Sequence, residues 1–182
     1  DAKDINTSQH SARVAEYSVM IGKELGFDEQ KCSELKRAAL LHDIGKIGIP
    51  DRILNKPERL TDEEYEVMKK HTVWGREILS GLEFLPQADL GATYHHERYD
   101  GSGYPDQLVG EQIPIAAQVV GLADAYETLT TGSGSQPPVP CAAAVQMLCT
   151  GEAGAFNPVL LDCLREIENE IDDAMRRRPE TL

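Results

Sequence analysis

The amino-acid sequence predicts an all-α protein, a bundle of about seven helices. Apolar residues recur at helical spacing along most of the 182 residues, and strand-like alternation is nearly absent. Helix boundaries are also marked, by a stop at Gly26 and by a capping box that begins at Thr61. Because no internal repeat occurs, one domain covering residues 1–182 is expected.

The elements follow in chain order. The predicted helices span about residues 7–25, 28–42, 61–78, 85–96, 114–130, 141–148 and 158–177. Val14, Tyr17 and Ile21 share one face of the first helix, and Asp28 caps the second. The Gly-punctuated stretches 44–50 and 100–114 are predicted loops. A Gly-Ser-Pro segment at about 132–138 is a predicted flexible linker, followed by C-terminal helices within 139–178.

Charge and composition exclude several classes of function. The formal net charge is −13, which argues against binding nucleic-acid polymers or anionic membranes. No apolar run approaches the roughly 20 residues that span a bilayer, and no signal peptide is apparent. The four cysteines form no CxxC pair and suggest reduced thiols in the cytoplasm. Because the chain does not begin with Met, a receiver or sensor domain is expected upstream.

The five histidines have a pattern. They are His10, His42, His71, His95 and His96. A lone His is more often packed or solvated than a ligand, but here one histidine directly precedes an Asp and two others are adjacent. Imidazoles suit Fe, Mn, Ni, Zn or Co, and a carboxylate can bridge two ions. Asp124 lies in a helix of small residues, where burial requires an Arg partner, a helix cap or a metal ion.

Two segments resemble the signatures of the HD-GYP family. Residues 42–50, HDIGKIGIP, are similar to its HD signature, and residues 95–105, HHERYDGSGYP, to its GYP signature. The intervening His71 and the later Asp124 fit the same order. The resemblance covers a motif-bearing core at residues 8–131. It implies an HD-domain-like helical bundle that hydrolyses cyclic di-GMP.

The resemblance further implies two divalent transition metal ions (Fe, Mn, Ni, Zn or Co). One ion would be held by His10, His42, Asp43 and Asp124, and the other by His71, His95 and His96, with Asp43 bridging. Such a centre activates a bridging water for attack on phosphorus. Asp43 and Lys46 are the expected catalytic residues, with Lys46 either contacting a phosphate oxygen or exposed to solvent.

The GYP segment and Lys46 are expected to bind the substrate. The predicted substrate-binding residues are Lys46, Arg98, Asp100, Gly101, Gly103, Tyr104 and Pro105. The glycines would let the backbone approach the ligand closely. The alternative is a structural turn that braces the histidines, with an internal salt bridge between Arg98 and Asp100.

The sequence departs from the family pattern at three positions. Asn6 stands where members expected to bind a third metal carry Glu, which favours two metals and pGpG as the product. Ser133 and Gln136 stand where the family has basic residues that are expected to grip the substrate. Losing both would weaken substrate binding, since Arg is well suited to bidentate phosphate contacts.

Three functions compete. The first is a cyclic di-GMP phosphodiesterase. The second is a low-activity module that binds cyclic di-GMP or partners such as diguanylate cyclases through the GYP loop. The third is an HD-type hydrolase of another nucleotide phosphoester. A homodimer through the first helix is also expected.

Overall fold

The computed structural model of the protein describes residues 2–132 and 136–176, with side chains from residue 9 onward. The α-helices of these residues are α1 (Ala2–Glu24), α2 (Glu29–Leu41), α3 (Asp51–Leu54), α4 (Asp62–Leu79), α5 (Ala88–Tyr94), α6 (Ile115–Thr131), α7 (Cys141–Thr150), α8 (Pro158–Glu166) and α9 (Glu168–Arg176). Two 3-10 turns, Ile44–Gly48 and Gly110–Gln112, lie in the loops. Within the described ranges no strand forms, so the predicted all-α class is confirmed.

The ends of the helices follow the local sequence. After α1, Gly26 adopts φ +80°, a conformation that costs other residues energy. Asp28 then caps α2, and its side chain accepts a hydrogen bond of 2.8 Å from the backbone N–H of Lys31. Thr61 and Glu64 form the predicted capping box at the start of α4.

Helix α6 lies at the centre of the hydrophobic core. Its Val119, Val120 and Leu122 are fully buried, and the helix packs against α1, α2, α5 and α7. Tyr126 meets Tyr17 of α1 edge to face, with ring centroids 5.5 Å apart, a geometry that aromatic pairs favour. A polar side chain on the inner face of α6 therefore lies among the helices that surround it.

Two glycines let neighbouring elements pack backbone against backbone. A β carbon at Gly45 would lie 1.9 Å from the carbonyl oxygen of His71. A β carbon at Gly121 would lie 2.3 Å from the carbonyl oxygen of His95. Because only glycine allows these approaches, the turn after α2 is held against α4, and α6 against the end of α5.

The helix count and bounds differ in part from the sequence-based prediction of about seven helices. The described residues form nine α-helices. The predicted last helix is interrupted at Ile167, and the short α3 (Asp51–Leu54) occupies a stretch for which the sequence predicts no element. Ile167 and Ile53 are both buried. Tertiary packing, more than local propensity, therefore decides where the last helix is interrupted and that α3 forms.

Several predicted features fall at the margins of the described residues. Residues 133–135 of the predicted linker and residues 177–178 at the end of the predicted C-terminal helices lie outside them. Residues 136–138 are exposed between α6 and α7. Across the part of the chain that is described, no helix combines the length and apolarity needed to cross a bilayer.

Candidate metal centre

The seven side chains expected to bind metal meet at one place in the bundle. They are His10 from α1, His42 at the end of α2, Asp43 from the next turn, His71 from α4, His95 and His96 after α5, and Asp124 from α6. These side chains form two adjoining sets of candidate ligands, and Asp43 belongs to both sets.

The first, the His10 group, consists of His10, His42, Asp43 and Asp124. Nε2 of His10 lies 3.3 Å from Oδ1 of Asp124 and 3.4 Å from Nε2 of His42. Nε2 of His42 lies 3.4 Å from Oδ2 of Asp43 and 3.8 Å from Oδ1 of Asp124. These atoms all face one small volume between α1, α2 and α6.

The second, the His71 group, consists of His71, His95, His96 and Asp43, whose ligand atoms lie within 4.8 Å of one another. Nε2 of His71 lies 3.4 Å from Nε2 of His95 and 3.5 Å from Oδ1 of Asp43. Nε2 of His95 lies 3.8 Å from the same oxygen. This group joins α4 to the end of α5.

Asp43 links the two groups through its two oxygens. Oδ2 faces the His10 group and Oδ1 faces the His71 group. Oδ1 is buried and, among the described residues, has no hydrogen-bond partner, although an unpaired buried carboxylate oxygen is costly. A cation beside Oδ1 would remove that cost, and mixed imidazole and carboxylate donors suit divalent transition ions. The residues present therefore fit bound metal.

The orientation of three histidines is set by their own helices. The carbonyl oxygens of Ala39, Met68 and Gly91 lie 2.7, 2.7 and 2.9 Å from Nδ1 of His42, His71 and His95, respectively. A carbonyl can only accept a hydrogen bond, so Nδ1 carries the proton and Nε2 is free to bind metal.

Burial and nearby carboxylates give the histidines of the two groups different protonation states. Burial lowers the pKa of His71, lowers that of His95 well below its ordinary value, and lowers that of His96 to about 3. Burial also acts to lower the pKa of His10, but Asp124 and Glu127 outweigh it and raise that pKa to about 9. The histidines of the His71 group are thus neutral, whereas metal binding at the His10 group must displace a proton from His10.

Lys46 lies at the edge of the cluster. Its Nζ forms an ion pair with Oδ2 of Asp43, and its side chain is 36% exposed. Burial acts to lower the pKa of Lys46, but the charge and hydrogen bond of Asp43 together with the charge of Asp124 outweigh it and raise the pKa. Lys46 therefore stays protonated and is partly open to solvent, between the two alternatives that the sequence left open.

The two charged residues expected in the GYP loop do not pair with each other. Nη1 of Arg98 donates a hydrogen bond of 3.0 Å to the carbonyl oxygen of Glu97, and its guanidinium lies 4.8 Å from the ring centroid of Phe156. Asp100 accepts hydrogen bonds from the backbone N–H and the hydroxyl of Ser102, at 3.0 and 2.6 Å. Each residue shapes the loop through local contacts, without the internal salt bridge that was the alternative to substrate binding.

The rest of the GYP loop is tightly built. Gly101 adopts φ +81°, and a β carbon at Gly103 would lie 2.4 Å from the carbonyl oxygen of His96. The Tyr104 ring stacks on the His96 imidazole at 4.8 Å between centroids, and a cis peptide bond joins Tyr104 to Pro105. Tyr104 is thus an expected substrate-binding residue whose side chain contacts an expected metal ligand, His96.

Two residues near the His10 group were not singled out from the sequence. Oε2 of Glu127 lies 2.6 Å from Nδ1 of His10, and Arg13 forms an ion pair with Oε1 of Glu127. Spacing offers a clue, since Glu127 follows Asp124 by three residues and helical residues three apart share a face. Spacing alone could not show that Glu127 contacts His10 and Arg13 of α1.

Glu97, within the GYP string, was also missed. It is 5% exposed, and its carboxylate accepts hydrogen bonds from the backbone N–H groups of Asp106, at 2.7 Å, and Leu108, at 3.1 Å. Glu97 thereby holds the two ends of the GYP loop together.

The structure describes the side chain of one of the three positions that depart from the family pattern. Ser133 and the side chain of Asn6 lie outside the described part of the structure, and Gln136 is exposed.

Comparison with known proteins gives a consistent assignment. A family model described as "HD domain" matches residues 2–159. The chain is 41% identical to a cyclic di-GMP phosphodiesterase of Thermotoga maritima, over 96% of this chain and 48% of the relative. It is 35% identical to the 3'3'-cGAMP-specific phosphodiesterase 2 of Vibrio cholerae, over 91% of this chain and 32% of the relative. The chain therefore spans less than half of the length of these two relatives.

A solved structure supports the fold. The HDG"Y"P protein Bd1817 of Bdellovibrio bacteriovorus matches with a TM-score of 0.72 and 24% identity, over 93% of this chain and 52% of that chain. At that identity the likeness concerns the arrangement of the helices.

Proposed function

Because this chain belongs to the HD domain family, in its HD-GYP branch, we propose that it is a metal-dependent phosphodiesterase that hydrolyses cyclic di-GMP. The proposed reaction is cleavage of a phosphodiester bond in a cyclic dinucleotide. The relative from Thermotoga maritima, which is 41% identical, bears the name of that activity.

The observation that carries the proposal is the position of Asp43 between the two groups. One of its oxygens faces the imidazoles of His10 and His42, and the other faces those of His71 and His95. A single hydrogen-bonded core Asp would need neither imidazoles on two sides nor an unpaired oxygen. This arrangement supports a centre for two divalent ions with Asp43 as the shared ligand.

The proposed ligands are those expected from the resemblance. The His10 group would hold one ion and the His71 group the other, chosen among Fe, Mn, Ni, Zn and Co. When bound, such ions supply Lewis acidity toward phosphoryl oxygens and lower the pKa of a water nucleophile. They also offer positive charge to an anionic substrate in a chain whose net charge is −13.

The side chains around the metal ligands are proposed to bind the substrate or to shape its binding site. Asp43 is oriented by its ion pair with Lys46, and we propose that the partly exposed Lys46 ammonium binds a non-bridging phosphate oxygen of the substrate. Tyr104, stacked on His96, is proposed to contact the substrate through its remaining surface. Arg98, Asp100, Gly101, Gly103 and Pro105 are proposed to act by shaping the loop that holds Tyr104.

Other expectations remain predictions. They are pGpG as the product, a site with two metals, a cytoplasmic location, a homodimer through α1, a receiver or sensor domain upstream, and diguanylate cyclase partners at the GYP loop.

Anaerobic assay of the chain loaded with Mn²⁺ or Fe²⁺ tests the proposal. Cyclic di-GMP should be converted to pGpG, measured by liquid chromatography. Asp43→Asn should abolish turnover, because the shared ligand loses its charge. Asp62→Asn, an exposed Asp in the first turn of α4, is the matched control and should be as active as the parent chain.

A substrate panel separates the alternatives. 3'3'-cGAMP belongs in it because the Vibrio cholerae relative is named for that nucleotide. Faster hydrolysis of 3'3'-cGAMP would assign the chain to that substrate. Tight binding of cyclic di-GMP without turnover of any nucleotide, in fully metal-loaded protein, would contradict the proposed activity and favour a binding module.

A further inference from the structure

His10 differs from the other histidines in how its ring is held. Helix α6 contacts both of its nitrogens, with Oδ1 of Asp124 3.3 Å from Nε2 and Oε2 of Glu127 2.6 Å from Nδ1. In His42 and His71, Nδ1 is instead bound by a carbonyl of the same helix. The orientation of His10 therefore depends on a side chain from a distant part of the sequence.

Glu127 is itself fixed. Its side chain is 2% exposed, and Nε of Arg13 donates a hydrogen bond of 2.5 Å to its second oxygen, Oε1. Arg13 follows His10 by three residues on α1, so the two side chains lie on one face of that helix. Both carboxylate oxygens of Glu127 are thus occupied by α1, one by the imidazole and one by the guanidinium.

We propose that Glu127 is a positioning residue that orients His10 and thereby sets the affinity of the His10 group for its metal ion, with Arg13 holding Glu127 in place. The inference rests on the proposed two-metal function. A carboxylate that accepts a hydrogen bond from Nδ1–H fixes the imidazole tautomer and makes Nε2 a more basic ligand. Loss of such a partner typically weakens metal binding by about 10–100-fold.

The effect should be confined to one of the two metals. His71 and His95 are oriented by carbonyl oxygens of their own helices, so the His71 group does not depend on Glu127. Removing the Glu127 carboxylate should weaken one metal site and leave the other unchanged.

Titration of the metal-free chain with Co²⁺ or Zn²⁺ against a competing chelator measures both affinities. In Glu127→Ala and Arg13→Ala, one of the two dissociation constants should rise, by about 10–100-fold in the first variant. The Co²⁺ absorption spectrum should change for that site only. Glu127→Gln keeps an oxygen that can accept a hydrogen bond from Nδ1–H but loses the charge, and should retain part of the affinity that Glu127→Ala loses. Asp162→Ala removes an exposed carboxylate paired with Arg165 and is the control.

Melting of the metal-free variants, followed by circular dichroism, separates positioning from folding. Two unchanged dissociation constants in Glu127→Ala would overturn the proposal, as would equal weakening at both sites. If Glu127→Ala does not fold, Glu127→Gln and Arg13→Ala decide, and unchanged affinity in both overturns it. A parent chain that binds two metals yet hydrolyses no cyclic dinucleotide would contradict the proposed function and leave this comparison intact.

Discussion

Nε2 of His71 lies 3.4 Å from Nε2 of His95, although the two residues belong to different helices. Both Nδ1 atoms are directed to backbone carbonyls, and burial lowers the pKa of both side chains. Two neutral nitrogen lone pairs therefore face each other beside Oδ1 of Asp43. Without a cation between them, nothing in the described residues satisfies these three atoms together.

Single substitutions on either side of Asp43 should remove different metals. His71→Ala removes a ligand of the His71 group alone, and His10→Ala a ligand of the His10 group alone. Each variant is expected to keep about one metal ion where the parent chain binds two. Elemental analysis after removal of loosely bound metal checks the stoichiometry. Since every histidine of this chain belongs to the cluster, each variant is the other's control, and loss of both metals in either one would argue for a single cooperative site.

Metal removal should destabilise the protein. The carboxylates of Asp43 and Asp124 both face Nε2 of His42, and the charge of Asp43 acts to raise the pKa of Asp124. A cation that binds only the folded state stabilises it by mass action. At a free metal concentration about 100 times the dissociation constant the gain is about 2.7 kcal/mol. Scanning calorimetry with Mn²⁺ and after chelation should show a higher melting temperature with metal. Asp43→Asn should show a smaller shift, and equal shifts in both proteins would place the stabilising metal elsewhere.

Gly121→Ala should disturb the site through the backbone. Its new β carbon would lie 2.3 Å from the carbonyl oxygen of His95, so α6 and the end of α5 must separate. Overpacking of this kind costs about 1–3 kcal/mol of the free energy of unfolding, and metal binding at the His71 group should weaken. Urea denaturation measures the first effect.

Gly22→Ala in α1 is the matched control for that substitution. There the new β carbon would meet the terminal Cδ2 of Leu35 at 2.9 Å, and a side chain can move away where a backbone cannot. Its free energy of unfolding should change much less, because alanine also favours the helix. Equal losses in the two variants would show that helix packing in general, not the contact with His95, limits stability.

Glu97→Ala should loosen the GYP loop. The buried carboxylate accepts partly buried hydrogen bonds from the backbone N–H groups of Asp106 and Leu108, and losing a hydrogen bond of this kind costs about 0.5–1.5 kcal/mol. Amide hydrogen exchange should rise at those two residues. Turnover of cyclic di-GMP should fall, because the loop carries Tyr104 against His96. Glu58→Ala, at an exposed loop position, is the control, and unchanged exchange in Glu97→Ala would refute the bracing role.

Much of the fold could be predicted because helix boundaries depend on neighbouring residues. The stop at Gly26, the cap at Asp28 and the capping box at Thr61 all appear where local sequence places them. The break at Ile167 could not be predicted, since no Gly or Pro marks it and burial of the apolar side chain decides it.

By itself the sequence determined the helical class and the kinds of side chain available for a metal centre, because helix periodicity and ligand chemistry belong to short segments. Only the tertiary structure decided that Asp43 turns one oxygen to each group and that Glu127 holds His10. The physical reason is that these relationships join atoms from different helices. Their distances are set by how closely the backbones pack at Gly45 and Gly121.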